Sequence, residues 1–260
     1  MSSRHFIFGY GSLICPDSRR ITAPTLSEGE RAEPLPVSIK NLRRSWNVPF
    51  YLPALSDGSR KVKGMTVLGV QRCEDNSNSM CNGVLIEVNE NELKQFDIRE
   101  MNYTRAMVDI QDILFPVDLL EKRQSENDQD IIMPSPHPVL VEFNQQKREQ
   151  IKSKNNLHVW VYLYDDGFQP NEYCPICQSY VDIVLKGCLH ISNDFAKIFL
   201  ETTHGWPIEK EESNKDLGFL MDDRHDPLYT RADMIWSNKN ATLLNTLIQN
   251  IHPHIIIKTG

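Results

Sequence analysis

The chain lacks a basic excess: Lys and Arg together number 28 against 35 Asp and Glu, a formal net charge of −7 over 260 residues. Binding to a phosphate backbone by counterion release needs a concentrated Lys/Arg surface, so nucleic acid is excluded as an expected partner. Long hydrophobic runs are missing too. No window approaches the roughly 18 apolar residues of a membrane span, and the apolar run after "MSSRH" is too short for a secretory core. These absences predict a cytoplasmic protein with no membrane partner. Cysteine is scarce, with six residues at irregular spacing (Cys15, Cys73, Cys81, Cys174, Cys177, Cys188), a pattern of reduced thiols and not of a disulfide framework. Only "CPIC", Cys174 to Cys177, has motif-like spacing. It has neither a second pair nor histidines at finger spacing, so no metal and no cofactor is expected. Glycine is sparse as well, at 12 residues, which makes two of them in three positions at Gly9 and Gly11 conspicuous.

What is present is a large apolar fraction, 40% of the residues, enough for a substantial core in a chain of this length. "HFIFG" has strand composition and "GYGS" punctuates it. "PLPVSIKNLRRSWNV" alternates around Val37, Ile39 and Leu42, a strand leading into a polar bend. "GMTVLGVQ" and "NGVLIEV" read as a strand pair across "RCEDNSNSMC", whose Asp, Asn and Ser favour a loop. "NENELKQFDIRE" has Asn89 or Asn91 as N-cap and Leu93, Phe96 and Ile98 near helical spacing, which predicts a short helix ending near Glu100. "YTRAMVDIQDI" and "LHVWVYLY" are two further strands. Between them runs a charged stretch poor in aromatics, expected as a polar insertion at about 117–156. Beyond it, "CQSYVDIVLKGCLHI" and "NDFAKIFLETTHGW" are helical, opening a helical C-terminal part at about 175–260. The order, strands first and helices last, predicts an α+β class and a single domain over 1–260. The sequence sets no oligomeric state.

Two features bear on chemistry. In a turn after a strand, the amides of Gly11, Ser12 and Leu13 can converge on a carboxylate or a developing oxyanion, and glycine on each side of Tyr10 lets a ligand approach the main chain. An ordinary tight turn has the same composition. Glu100 ends an amphipathic helix, where the macrodipole does not favour a carboxylate. Facing a closed pocket, it would have a raised pKa suited to moving protons; the alternative is an exposed Glu paired with a neighbouring Arg or Lys. Further along, "ETTHGW" and "DDRHDPLYTR" bring His204, Asp222, Asp223, His225 and Asp226 close in sequence, as an orienting pair or a metal pair. Neighbours in sequence are not a site, however, and helix-end and loop chemistry accounts for both stretches.

Taken in order, "FGYGSLI", "LRRSW", "CNGVLIEV" and "LKQFDIREMNY" resemble the gamma-glutamylcyclotransferases, and most of all their ChaC branch. The resemblance spans roughly His5 to Ile113. It implies a gamma-glutamylcyclotransferase-like fold, a mixed β-barrel with flanking helices, and release of 5-oxoproline from a small-molecule gamma-glutamyl substrate without a cofactor. It implies a loop at Tyr10, Gly11, Ser12 and Leu13 that binds the gamma-glutamyl group, a catalytic Glu100, and Tyr103 as a further binding residue. A looser match makes Gln178 and Tyr180 pocket-wall candidates. The chain departs from the ChaC pattern at Met101 and Asn102, where the branch has a Gly pair, and at Cys15, where it often has Trp. These departures leave open glutathione or a gamma-glutamyl peptide, a gamma-glutamyl amine, and a non-catalytic ligand-binding or interaction module on the same fold.

Overall fold

The computed structural model of the protein describes residues 3–27, 34–53, 62–73, 79–115, 157–207 and 219–259. The polar insertion expected at about 117–156 lies outside them. Among the described residues the elements run β1 (Arg4–Gly9), α1 (Pro16–Thr22), β2 (Leu35–Lys40), β3 (Leu42–Tyr51), β4 (Gly64–Arg72), β5 (Met80–Val88), α2 (Glu90–Arg99), β6 (Thr104–Met107), β7 (Ile113–Leu114) and β8 (Leu157–Leu163). The chain continues with β9 (Ile176–Cys177), α3 (Gln178–Ile191), α4 (Asn193–Thr202), β10 (Thr203–His204), β11 (Leu220–Asp222), α5 (Met234–Ile251) and β12 (Ile257–Thr259).

The strands form two six-stranded sheets of mixed direction, in the orders β6-β8-β1-β5-β2-β7 and β10-β3-β4-β9-β11-β12. The implied barrel closure is not among these pairings. β1 lies between antiparallel β5 and parallel β8, so Phe6, Ile7 and Phe8 are all buried, as strands covered on both faces require. The expected pairing of "GMTVLGVQ" with "NGVLIEV" does not occur. β4 pairs β3 and β9, while β5 pairs β1 and β2 in the other sheet. Both strands are buried along most of their length, and an apolar strand without alternation carries no mark of its neighbour. The polar bend after β2 is one residue, Asn41 at φ 58°, a left-handed position that Asn tolerates, and the chain then returns directly as β3.

α2 starts at Asn89, whose side chain accepts from the Asn91 and Glu92 amides while Glu92 reaches back to the Asn89 amide, a complete capping box. Leu93 and Phe96 are buried, but Ile98 is 73% exposed, so the apolar face is narrower than the spacing predicts. α3 is buried continuously from Gln178 to Leu185, with Val181, Ile183, Val184, Leu185 and Cys188 at 1% exposure or less, and reaches solvent only toward its C-terminal end at His190. Its Gly187 abuts the turn after β1: a Cβ there would meet the Cys15 backbone nitrogen at 2.5 Å. Lys186, one residue earlier, donates to Asp17 at the start of α1 (2.6 Å) and to Asp233 at the cap of α5 (2.5 Å). These constraints hold the first loop against the C-terminal helices. No helix among the described residues is long and apolar enough to cross a membrane.

Candidate active site

Past Gly9 the chain passes Tyr10 and Gly11 into a short 3-10 turn, Ser12–Ile14, closed by the Ile14 amide donating to the Gly11 carbonyl (2.9 Å) and the Cys15 amide to the Ser12 carbonyl (3.2 Å). The amides of Gly11 and Leu13 are left without a protein acceptor among the described residues. The glycine at position 11 is required by close packing, since a Cβ there would lie 2.8 Å from the Tyr180 hydroxyl. Arg44, completely buried, donates from Nη1 to the Tyr10 carbonyl (3.2 Å). Because C=O and N–H point opposite ways across a planar trans peptide, this bond turns the Gly11 amide away from Arg44.

Arg44 has no carboxylate partner among the described residues. It donates to the Asn82 carbonyl and side chain (2.7 and 2.9 Å), the Phe199 carbonyl (3.0 Å) and the hydroxyls of Thr202 and Thr203 (3.0 and 2.7 Å), with its guanidinium 3.9 Å from the centre of the Phe199 ring. Burial lowers its pKa, and full hydrogen bonding is what makes such a charge tolerable.

Glu100 is the C-cap of α2. Its amide donates to the Phe96 carbonyl and its own carbonyl accepts from the Tyr103 amide, both at 2.9 Å, so one tight turn fixes Glu100 and Tyr103 together. Glu100, Tyr103 and the loop residues Tyr10, Gly11, Ser12 and Leu13 line one pocket, completed by Phe8, Leu68, Tyr162 and Tyr180. The pocket encloses about 310 Å³ of space between atoms, part of it open to solvent. Four tyrosines and three apolar side chains in its wall leave the Glu100 carboxylate as its one acidic group.

Glu100 faces the pocket and is not exposed, yet it is also paired with a neighbouring arginine. Its Oε1 is ion-paired with Arg99 Nε at 2.9 Å, and it also faces the pocket with its side chain 17% exposed. Burial raises its pKa above the usual carboxylate range, opposed by the charges of Arg99 and Arg231 and by the Arg99 hydrogen bond. Arg99 is spent on local structure as well: Nη1 donates to the Ser18 carbonyl (3.1 Å) and Thr22 hydroxyl (2.8 Å), and Nη2 to the hydroxyls of Ser12 (3.0 Å) and Ser18 (3.1 Å). One guanidinium thus links the carboxylate to the loop and to α1.

The tyrosine hydroxyls are largely committed. Tyr10 donates to the Tyr162 carbonyl (2.6 Å), Tyr103 to the Leu68 carbonyl (3.0 Å) and Tyr162 to Asp97 (2.9 Å). Burial raises the pKa of all three, so they remain neutral, and each offers oxygen lone pairs to a donor in the pocket. Of the two C-terminal wall candidates, Tyr180 lines the pocket; Gln178 does not, its amide donating to Asp182 (2.7 Å).

The His and Asp residues of "ETTHGW" and "DDRHDPLYTR" are not in the pocket wall. Asp223 accepts from the Ser179 amide and hydroxyl and the Leu228 amide, and Asp222 from Arg224, while His204 and His225 are exposed. Cys174 and Cys177 are buried free thiols, and burial raises both pKa values. Sequence reasoning missed Arg44, Arg99 as a clamp, Leu68 and Tyr162. Only "LRRSW" carried a signal for one of them, and it did not distinguish exposed Arg43 from buried Arg44.

No protein-family model matches the chain, and no curated protein matches it. Solved structures similar to it at low identity include the following three. An uncharacterized protein from Homo sapiens is similar over 82% of this chain and 94% of its own, with a TM-score of 0.44 and 11% identity. A gamma-glutamyl cyclotransferase is similar over 82% and 92%, with a TM-score of 0.43 and 10% identity. A gamma-glutamyl cyclotransferase specific to glutathione, from yeast, is similar over 98% of both chains, with a TM-score of 0.38 and 14% identity.

Proposed function

We propose that the protein is a gamma-glutamylcyclotransferase, of the ChaC branch by its ordered sequence elements, which releases 5-oxoproline from glutathione or another gamma-glutamyl compound. The observation that carries this reading is a carboxylate of raised pKa sharing one small, tyrosine-walled pocket with a glycine loop whose amides are unspent. The reaction needs two protons moved from the α-nitrogen to the outgoing nitrogen. Glu100 takes the first from the substrate's α-ammonium, and the freed amine attacks the γ-carbonyl carbon of the same molecule. The carbonyl oxygen becomes an oxyanion held by the Gly11 and Leu13 amides, and the attacking nitrogen becomes positively charged. As the oxyanion collapses, the bond to the outgoing nitrogen breaks and Glu100 gives its proton to that nitrogen; the carboxylate so regenerated takes the second proton from the ring nitrogen and passes it to the released amine, leaving the neutral five-membered lactam and an ammonium.

Geometry divides the labour. The pocket confines a flexible chain to the near-attack shape, and closure of a five-membered ring needs no second reactant. Arg99 holds Oε1, so the same carboxylate stays aimed through both transfers. Tyr103, its proton committed to Leu68, serves the ammonium as an acceptor. The free thiols suit a reducing, cytosolic setting.

The Arg99–Glu100 pair also favours a second reading, in which a fixed anion holds an ammonium-bearing ligand without turning it over. Incubating the protein with glutathione, a gamma-glutamyl dipeptide and a gamma-glutamyl amine, and assaying 5-oxoproline, separates the readings. Product from at least one donor is expected. Thermal stabilisation without product selects the binding module, and neither signal contradicts both.

A further inference from the structure

Tyr180 lines the pocket but has no part in the chemistry above. It stands in the first turn of α3, 5% exposed, with its ring held from two sides. Trp46 of β3 is edge-on to it with centroids 5.8 Å apart at 75°, and Tyr229 is edge-on with centroids 4.8 Å apart at 88°. Tyr229 is tied back to the same helix turn: its amide donates to the Ser179 hydroxyl (3.3 Å), and Ser179 bonds Asp223 through both its amide (2.7 Å) and its hydroxyl (2.6 Å). A ring packed between two others keeps its hydroxyl where α3 places it.

That place is the glycine loop. A Cβ at Gly11 would lie 2.8 Å from the Tyr180 hydroxyl oxygen, and the backbone amides of Ser12 and Leu68 are turned to that oxygen as donors. Leu68 sits where the ladder between β3 and β4 shifts register at a bulge, and its carbonyl accepts from Tyr103 (3.0 Å). A phenol oxygen has two lone pairs and one proton, so amides on the lone-pair side leave the proton for the pocket. The other three tyrosines of the wall direct theirs to protein oxygens: Tyr10 to the Tyr162 carbonyl, Tyr103 to the Leu68 carbonyl and Tyr162 to Asp97. Burial raises the pKa of Tyr180, so the phenol keeps its proton at neutral pH.

We propose that Tyr180 is a catalytic residue whose hydroxyl donates a hydrogen bond to the γ-carbonyl oxygen as it becomes the oxyanion, a third donor beside the Gly11 and Leu13 amides. The proposal rests on the cyclotransferase reading for the identity of the ligand. The proton is shared and not transferred, so the proton balance of the reaction is unchanged. A carbonyl oxygen has two lone pairs and the tetrahedral oxyanion has three. The third donor therefore gains its full partner only as the tetrahedral state forms, and its loss falls on kcat more than on KM.

The test is Tyr180→Phe, which removes the hydroxyl and keeps the ring between Trp46 and Tyr229. With gamma-glutamylmethylamide as donor, kcat should fall about a hundredfold, the usual loss for one oxyanion donor, with KM little changed. A kcat near that of the wild type, or a loss confined to KM, overturns the proposal, as does an unchanged kcat with a displaced acid limb, which would put the hydroxyl on Glu100 instead. Replacing Tyr180 by fluorotyrosine covers the case in which Tyr180→Phe does not fold, because it keeps the oxygen between its two amides and lowers the phenol pKa. The alkaline limb of kcat should then move to lower pH, since the hydroxyl must carry its proton; a limb that stays in place contradicts the proposal. If wild-type protein makes no 5-oxoproline from any gamma-glutamyl donor, the cyclotransferase reading fails separately. Thermal stabilisation by gamma-glutamylmethylamide is then compared with that by the γ-methylphosphinate analogue of glutamate, whose tetrahedral anion mimics the oxyanion. Loss of stabilisation by the phosphinate alone in Tyr180→Phe supports the donor; an equal change for both compounds, or stabilisation of the wild type by neither, contradicts it.

Discussion

Two buried carboxylates, each bonded to an arginine, lie in different parts of the molecule and have opposite fates. Asp182, in the middle of α3, is fully buried and held from two sides: Arg224 donates to it twice (2.7 and 3.1 Å) and Gln178 once (2.7 Å). Glu100, at the end of α2, has one partner for its carboxylate among the described residues and a cavity in front of it. Burial raises the pKa of both. The difference is vacancy. A carboxylate whose lone pairs are all taken by protein donors joins helices, whereas one with an oxygen left over on a pocket wall is available for chemistry.

The largest effect expected on stability is at Asp182. Asp182→Ala leaves Arg224 buried without its partner and should cost about 3–5 kcal/mol in denaturant unfolding, while the folded fraction keeps its kcat/KM. Loss of turnover with unchanged stability would reverse the comparison. A smaller effect on stability, accompanied by a change in the pH dependence of the rate, is expected at Arg99, which also ties the loop to α1. Removing its charge in Arg99→Gln takes away the leading influence that holds the Glu100 pKa down, so that pKa rises further. Since Glu100 must be deprotonated to accept the substrate's proton, the acid limb of kcat/KM against pH should move to higher pH, and activity below the limb should fall. A limb that stays in place would assign it to another group. The smallest effect lies at the other end of α2: Asn89→Ala removes the capping box and should cost about 1 kcal/mol of stability, with little change in kcat.

Much of the N-terminal half of the site was legible because its determinants are local. The β1 composition, the Gly-Tyr-Gly-Ser break and the Asn89 cap lie within a few residues of what they control, and they place the loop after a strand and Glu100 at a helix end. The rest was written in packing between distant segments. That β4 and β5 belong to different sheets depends on partners on both sides of each strand. Arg44 gained its place under the Tyr10 carbonyl from α4 and β5, and Tyr162 and Tyr180 reached the pocket from beyond residue 156. Helix periodicity also overstated the apolar face of α2, where Ile98 points outward.

Proton transfer depends on the Glu100 oxygen that has no partner among the described residues, and the most direct measurement replaces the carboxylate with an amide of nearly the same shape. Glu100→Gln removes the proton carrier and should lower 5-oxoproline formation at least about a hundredfold while the thermal unfolding transition stays cooperative. Turnover near the wild-type rate in a well-folded Glu100→Gln protein would contradict the assignment of Glu100 as the proton carrier.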